Sequence, residues 1–145
     1  MRHLWGPVRD DDGLTFRLWA PRAQQVDLLV DGQAQPMHKG DLDIWQARSH
    51  ATPGARYLFS VDGTDMPDPA SRLQAGGVND ASVVTDPPMP QEWAGRPWSE
   101  AVIYQLHVGC FTPEGSFAAA AARLPGLAAL GFTAIQLLPV GQFPG

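Results

Sequence analysis

Residues 98–145 read WSEAVIYQLHVGCFTPEGSFAAAAARLPGLAALGFTAIQLLPVGQFPG: an apolar strand, a loop, an Ala-rich helical stretch and a second apolar strand. Val102, Tyr104, Leu106 and Val108 fall on one face of the first strand, with Ile103, Gln105 and His107 on the other. Phe117, Ala121, Leu124 and Ala128 then recur at helical spacing, with Ser116 placed as N-cap and Gly131 as C′ residue. Proline inside a helix costs about 3 kcal/mol, so a break or kink is expected near Leu124, with Pro125 restarting the helix. Ile135, Leu137 and Leu138 form a short apolar run between Thr133 and Pro139. Strand, helix and strand at this spacing predict one βαβ unit, its strands parallel and its crossover right-handed. Strands apolar on both faces need helices outside and other strands beside them. Two strands and one helix do not supply that cover. The expectation is an α/β domain of which these residues form only the opening repeat.

Upstream the period changes. Leu14, Phe16 and Leu18 alternate with Thr15, Arg17 and Trp19; Val26, Leu28 and Val30 alternate likewise, as do Tyr57, Phe59 and Val61. Such short period-2 runs predict half-buried antiparallel strands. Asp12-Gly13, Asp31-Gly32, Pro53-Gly54 and Asp62-Gly63 are turn signals beside them. Trp45 and Ala47 belong to a weaker strand, DIWQARS. Several short strands without a long helix predict a β-sandwich. From Gly63 the alternation lapses, and Pro67, Pro69, Pro87, Pro88, Pro90 and Pro97 make residues 64–98 read as a linker or a segment lying on the surface. The predicted division is a sandwich over 1–85, a Pro-rich linker over 86–98, and the start of the α/β domain over 99–145.

Composition narrows the function. A formal charge of −5 without any basic cluster argues against a nucleic-acid partner. No apolar run approaches a membrane span and the first residues carry no apolar leader core, so no membrane partner and a cytoplasmic location are expected. Cys110 is the single cysteine, which excludes an internal disulfide and a cysteine metal cage. His3, His38 and His50 lack metal-ligand spacing, so no metal site and no cofactor are expected.

The motifs are recognisable. FRLWAP (Phe16–Pro21) followed by VDLLVDG (Val26–Gly32) resembles the immunoglobulin-like sandwich of carbohydrate-binding family 48, found ahead of many glycoside hydrolase family 13 barrels. PDPASRLQAGGVNDAS (Pro67–Ser82), AVIYQLHVGCFTPEGSF (Ala101–Phe117) and TAIQLLPVGQFPG (Thr133–Gly145) are similar to one branch, the malto-oligosyltrehalose trehalohydrolases. Glycogen branching and debranching enzymes share the architecture and are the alternative parents, and a glucan-binding module is the alternative of a different class. The resemblance implies that residues 99–145 open an incomplete (β/α)8 TIM barrel, as β1, α1 and β2. It implies a parent that hydrolyses the α-1,4 bond next to the terminal trehalose of a maltooligosyl trehalose, an α-glucan substrate. Retaining hydrolysis of that kind needs two carboxyl groups about 5–5.5 Å apart. In the family they come from barrel strands 4, 5 and 7, so no catalytic residue is expected here.

The residues agree. All twelve Asp lie at or before Asp86, and the barrel portion holds only Glu100 and Glu114. The candidates for sugar contact are Trp19 and His107. Trp19 lies on the polar-alternating face of its strand, where an indole can stack on a pyranose. His107, with Gln105 and Gln136, would line a barrel interior, either as a polar floor under a sugar pocket or as buried polar groups satisfying one another. Trp5, Trp45, Trp93 and Trp98 are expected to pack cores or seams, since Trp is usually highly buried. Cys110 has no base partner and reads as a small loop residue.

Overall fold

The computed structural model describes residues 5–86 and 94–141. The chain divides into two compact units that hold these two segments, and each is taken by itself.

In the first unit the alternating runs form two antiparallel sheets. One contains β1 (Val8–Asp10), β2 (Gly13–Trp19), β5 (His38–Lys39) and β6 (Ile44–Ser49), in the order β1-β2-β6-β5. The other contains β3 (Val26–Val30), β4 (Gln33–Pro36), β7 (Arg56–Val61) and β8 (Thr64–Met66), in the order β4-β3-β7-β8, with β9 (Ser82–Val83) also on β7. Leu14, Phe16, Leu18, Trp45 and Ala47 from the first sheet meet Val26, Leu28, Tyr57 and Phe59 from the second in one buried cluster. This is the β-sandwich that the period-2 alternation predicts. Phe16 and Tyr57 make an edge-to-face contact at 5.0 Å, within the range favoured by ring quadrupoles. Pro36 ends an edge strand, where a missing N–H breaks no ladder.

Two of the three Asp-Gly signals are the reversals themselves, whereas at Asp12-Gly13 the turn is Asp11-Asp12 and Gly13 begins β2, paired with Asp10. Val30 pairs with Gln33 across Asp31-Gly32, and Val61 pairs with Thr64 across Asp62-Gly63; all four turn residues have positive φ, the type I′ geometry. Aspartate tolerates that conformation, and its carboxylate also secures a neighbour. Asp62 Oδ1 accepts from the Gln24 and Gln25 amides, and Asp31 Oδ1 accepts from the Arg56 amide.

Residues 64–84 are not a linker. They carry β8 and β9, and Asp68, Ser82 and Val84 are buried. Tyr57 Oη donates to Asp68 Oδ2 at 2.8 Å, the Asp68 amide donates to Ser82 Oγ at 2.9 Å, and the Ala70 amide donates to Asp68 Oδ1 at 2.7 Å. Buried polar groups must be paired, and this set pairs itself. Its prolines and aspartates hide the strands from an alternation test. Residues 87–93 of the expected linker, Trp93 included, lie outside the described residues.

Burial raises the Asp68 pKa despite the hydrogen bonds it accepts, and burial likewise pushes the Tyr57 hydroxyl well up. The folded state therefore holds the Asp68 proton more tightly than the unfolded chain, whose Asp titrates near about 3.9. This contribution is greatest below the unfolded value and falls away as pH rises from there through the folded value. Asp68→Asn should flatten that part of the profile, which urea unfolding across the acidic range would show; an unchanged profile would assign the effect elsewhere.

In the second unit β10 (Ile103–His107) and β11 (Ala134–Leu138) pair in parallel, Ile103 opposite Ala134 through His107 opposite Leu138. Between them lie α1 (Val108–Phe111) and α2 (Phe117–Ala129). This is the strand, helix, strand order that the sequence predicts, although Val108 begins α1 instead of ending the strand. Ser116 caps α2, its Oγ accepting from the Ala119 amide at 3.2 Å. Gly131, at φ 95°, donates to Ala128 O while Phe132 donates to Leu127 O, the paired bonds of a Schellman ending.

Two expectations fail in α2. The helix runs from Phe117 to Ala129 with Pro125 inside it, so the predicted break does not occur. Five consecutive alanines and the caps at both ends offset the donor that Pro125 lacks. The inward row is Ala120, Leu124 and Leu127, and Phe117 is 57% exposed. With small apolar residues all round the helix, spacing alone does not choose the buried face. Tyr104 packs on Phe111 and Phe132, and Leu106 and Val108, the first residue of α1, are buried.

Candidate functional site

Two faces bring polar side chains together. The first is the outer face of the β1-β2-β6-β5 sheet. Because Leu14, Phe16 and Leu18 point into the core, Thr15, Arg17 and Trp19 point outward. Across the sheet Thr15 pairs with Arg48, Arg17 with Gln46, and Trp19 with Ile44; His38 pairs with Gln46 on the far side. A groove of about 530 Å³ is lined by Asp10, Thr15, Arg17, His38, Gln46, Ala47 and Arg48. Arg48 is held there by Asp10, at 2.6 Å, and Asp12, at 3.5 Å. The Arg48 guanidinium hydrogen bond keeps the Asp10 carboxyl below the usual carboxylate range. Thr15 Oγ1 donates to the same carboxylate at 3.3 Å.

Trp19 stands at the end of this face, 61% exposed. Trp45 behaves differently: it is buried, donates Nε1–H to Ala20 O at 3.0 Å, and has the Lys39 ammonium over its ring. Trp5 and Trp98 are exposed, contrary to the expectation that they pack cores or seams. No alternation rule reaches them, because neither lies in a strand.

The second face belongs to β10 and β11. Ile103, Gln105, His107, Ala134, Gln136 and Leu138 share it, and all are exposed. Gln105, His107 and Gln136 thus do not form a buried, mutually satisfied set in this unit. Gly109 leaves room for the His107 ring; a Cβ there would come within 3.2 Å of His107 Cε1. Glu100 lies in the turn before β10 and Glu114 in the loop after α1, at opposite ends of the strand and both exposed. Among the described residues no three His, Cys, Asp or Glu side chains gather as metal ligands. Cys110 is exposed. Among the described residues no helix is long and apolar enough to cross a membrane.

Sequence reasoning singled out Trp19 and His107 but missed the groove. Arg17, Gln46 and His38 come from three strands, one of them a two-residue strand, and only the register of the sheet unites them.

Comparison with known proteins extends both units. Residues 5–88 match the Carbohydrate-binding module 48 family (Isoamylase N-terminal domain). Over 143 residues the chain is 39% identical to the malto-oligosyltrehalose trehalohydrolase of Deinococcus radiodurans, covering 96% of this chain and 24% of that protein. It is 37% identical to the enzyme of the same name from Saccharolobus solfataricus, covering 97% and 26%. Identity to the 1,4-alpha-glucan branching enzyme GlgB of Ralstonia nicotianae is 32%, covering 94% and 22%. The chain thus spans about a quarter of the length of the curated relatives it matches. Among solved structures, a Salmonella typhimurium protein assigned as an alpha amylase superposes with a TM-score of 0.87 at 42% identity, over 98% of this chain and 26% of that one. A pullulanase from Bacillus acidopullulyticus superposes at 0.74 with 25% identity, over 96% and 22%. With its two sheets and the match across them, the chain belongs to the carbohydrate-binding module 48 family.

Proposed function

We propose that this chain is the N-terminal part of a cytoplasmic glycoside hydrolase that releases trehalose from maltooligosyl trehalose. The observation that carries the reading is identity of 37–39% to two trehalohydrolases across nearly all of the chain, not over the sandwich alone. In this reading β10, the helices and β11 open a (β/α)8 barrel, and the exposed β10–β11 face turns toward its interior. His107, at the carboxyl end of β10, then stands on the side where barrel enzymes carry their sites. We assign it to the floor beneath the sugar.

Hydrolysis with retention needs a carboxylate nucleophile and a carboxyl acid/base close together. Glu100 and Glu114 flank β10 at opposite ends and do not make that pair. The chemistry is therefore assigned to strands beyond the present ones, and the sandwich to a supporting role. A branching enzyme is the second reading, favoured by the lower match to GlgB.

The gene product that contains this segment should liberate trehalose from maltotriosyltrehalose and leave the iodine colour of amylose free of branching. Loss of iodine colour through new branch points, without trehalose, would replace the first reading with the second.

A further inference from the structure

We infer that Gly109 is a positioning residue for His107: its missing side chain sets the direction in which the imidazole presents its nitrogens at the carboxyl end of β10. The inference rests on the proposed function, in which His107 lies beneath the sugar, and adds the residue through which that contact is aimed.

Backbone conformation does not ask for a glycine at this point. Gly109 is the second residue of α1 and its φ is not positive, unlike those of Gly115 and Gly131. In a helix glycine is a poorer choice than alanine. What it supplies is space. An added Cβ would lie 3.2 Å from His107 Cε1 and 3.5 Å from Nδ1. The shorter of these is inside the separation of about 3.5–4.0 Å at which two carbons rest.

The ring has no other anchor. His107 stands at the N-cap position of α1, yet its side chain makes no cap hydrogen bond, and among the described residues neither ring nitrogen has a partner. The residue is exposed. Both nitrogens are therefore open to a ligand, and shape, not bonding, limits the ring. Gly109 itself has little freedom to yield, because the loop after α1 closes on it. A Cβ on Gly115, at φ 59°, would come 3.1 Å from Gly109 O and 3.5 Å from Gly109 Cα. The Gly115 amide donates to Thr112 O at 3.0 Å, which holds that turn. An alanine at position 109 thus has the imidazole as its softer neighbour. The ring would rotate away and carry its nitrogens with it. A sugar hydroxyl both donates and accepts, so it can pair with an imidazole nitrogen in either state, but such a bond weakens steeply as its angle departs from linear.

The test uses the full gene product that contains this segment. With maltotriosyltrehalose, His107→Ala should lower kcat/KM about tenfold, the worth of one good hydrogen bond, and Gly109→Ala about fivefold. The double variant should match His107→Ala alone, since a positioning residue then has nothing left to position. Histidine labelled at Cε1 gives a readout that needs no turnover. The His107 resonance should move in Gly109→Ala and stay in place in Gly126→Ala, where an added Cβ meets nothing within 4 Å. Three results would overturn the inference: an unchanged kcat/KM in either single variant, a double variant whose loss is the product of the two, or a His107 resonance unmoved in Gly109→Ala. A gene product that releases no trehalose would sink the proposed function by itself, and the resonance would still decide whether Gly109 sets the ring.

Discussion

Phe16→Ala is expected to cost the sandwich about 3–5 kcal/mol, the usual range for emptying a fully buried aromatic position. Phe16 is completely buried and lies edge-on to Tyr57, so it joins the β2 sheet to the β7 sheet. Tyr57 in turn holds Asp68, so the change loosens both the apolar cluster and the polar set beside it. A small domain has only about 5–15 kcal/mol in total, so the variant should sit near the edge of folding. Urea unfolding followed by circular dichroism would register this as a large fall in the midpoint. Trp19→Ala serves as the comparison: an exposed side chain should change stability by less than about 0.5 kcal/mol. Equal losses for the two variants would show that the core is not where the packing places it.

The second large effect concerns catalysis. Incubated with maltotriosyltrehalose, the 145-residue chain should release no trehalose above the buffer control. The physical ground is the separation of the acids. Glu100 and Glu114 lie at opposite ends of β10, and in the sandwich Asp31 and Asp62 are engaged in turns, Asp10 in an ion pair and Asp68 with Tyr57. The groove on the sandwich is lined by a single carboxylate, Asp10, and that one is held by Arg48. Release of trehalose by this chain would mean that a carboxyl pair had been overlooked, and the assignment of chemistry to other strands would fail.

What could be read from the sequence followed the strength of its periodicities. The core strands β2, β3 and β7 alternate cleanly, β6 less so, and Leu14, Phe16, Leu18, Val26, Leu28, Tyr57 and Phe59 are found buried, as is Thr15 on the outward side of β2. The turns at Asp31-Gly32 and Asp62-Gly63 were equally legible, because only a few residue types accept positive φ at both positions. Ser116 and Gly131 gave the ends of α2 for similar stereochemical reasons. Legibility stopped where tertiary context decides. β4, β5, β8 and β9 are two to four residues long, too short for any period to show. The buried trio of Tyr57, Asp68 and Ser82 joins residues up to 25 positions apart, and its polar members look like linker until they are seen paired. The helix face was lost among alanines. At the candidate site, Trp19 was visible as an outward aromatic, but Arg17, Gln46 and His38 meet only through strand register.

The uncovered second unit carries the central claim. Ile103, Ile135 and Leu138 on β10 and β11 are 45%, 37% and 41% exposed, and Trp98, Leu130 and Val140 more so. Apolar surface left open in this way marks a face that awaits packing. The parallel pair has a single ladder, whereas β2, β3, β6 and β7 each have neighbours on both sides. Local opening should therefore be far easier in the second unit.

Amide hydrogen exchange on a dilute monomer measures this directly. Amides of β2, β3, β6 and β7 should exchange slowly, and those of β10 and β11 at rates close to an open chain. Equal protection in both units would mean that residues 94–141 form a self-sufficient globule, and the reading of them as the start of a larger barrel would be contradicted.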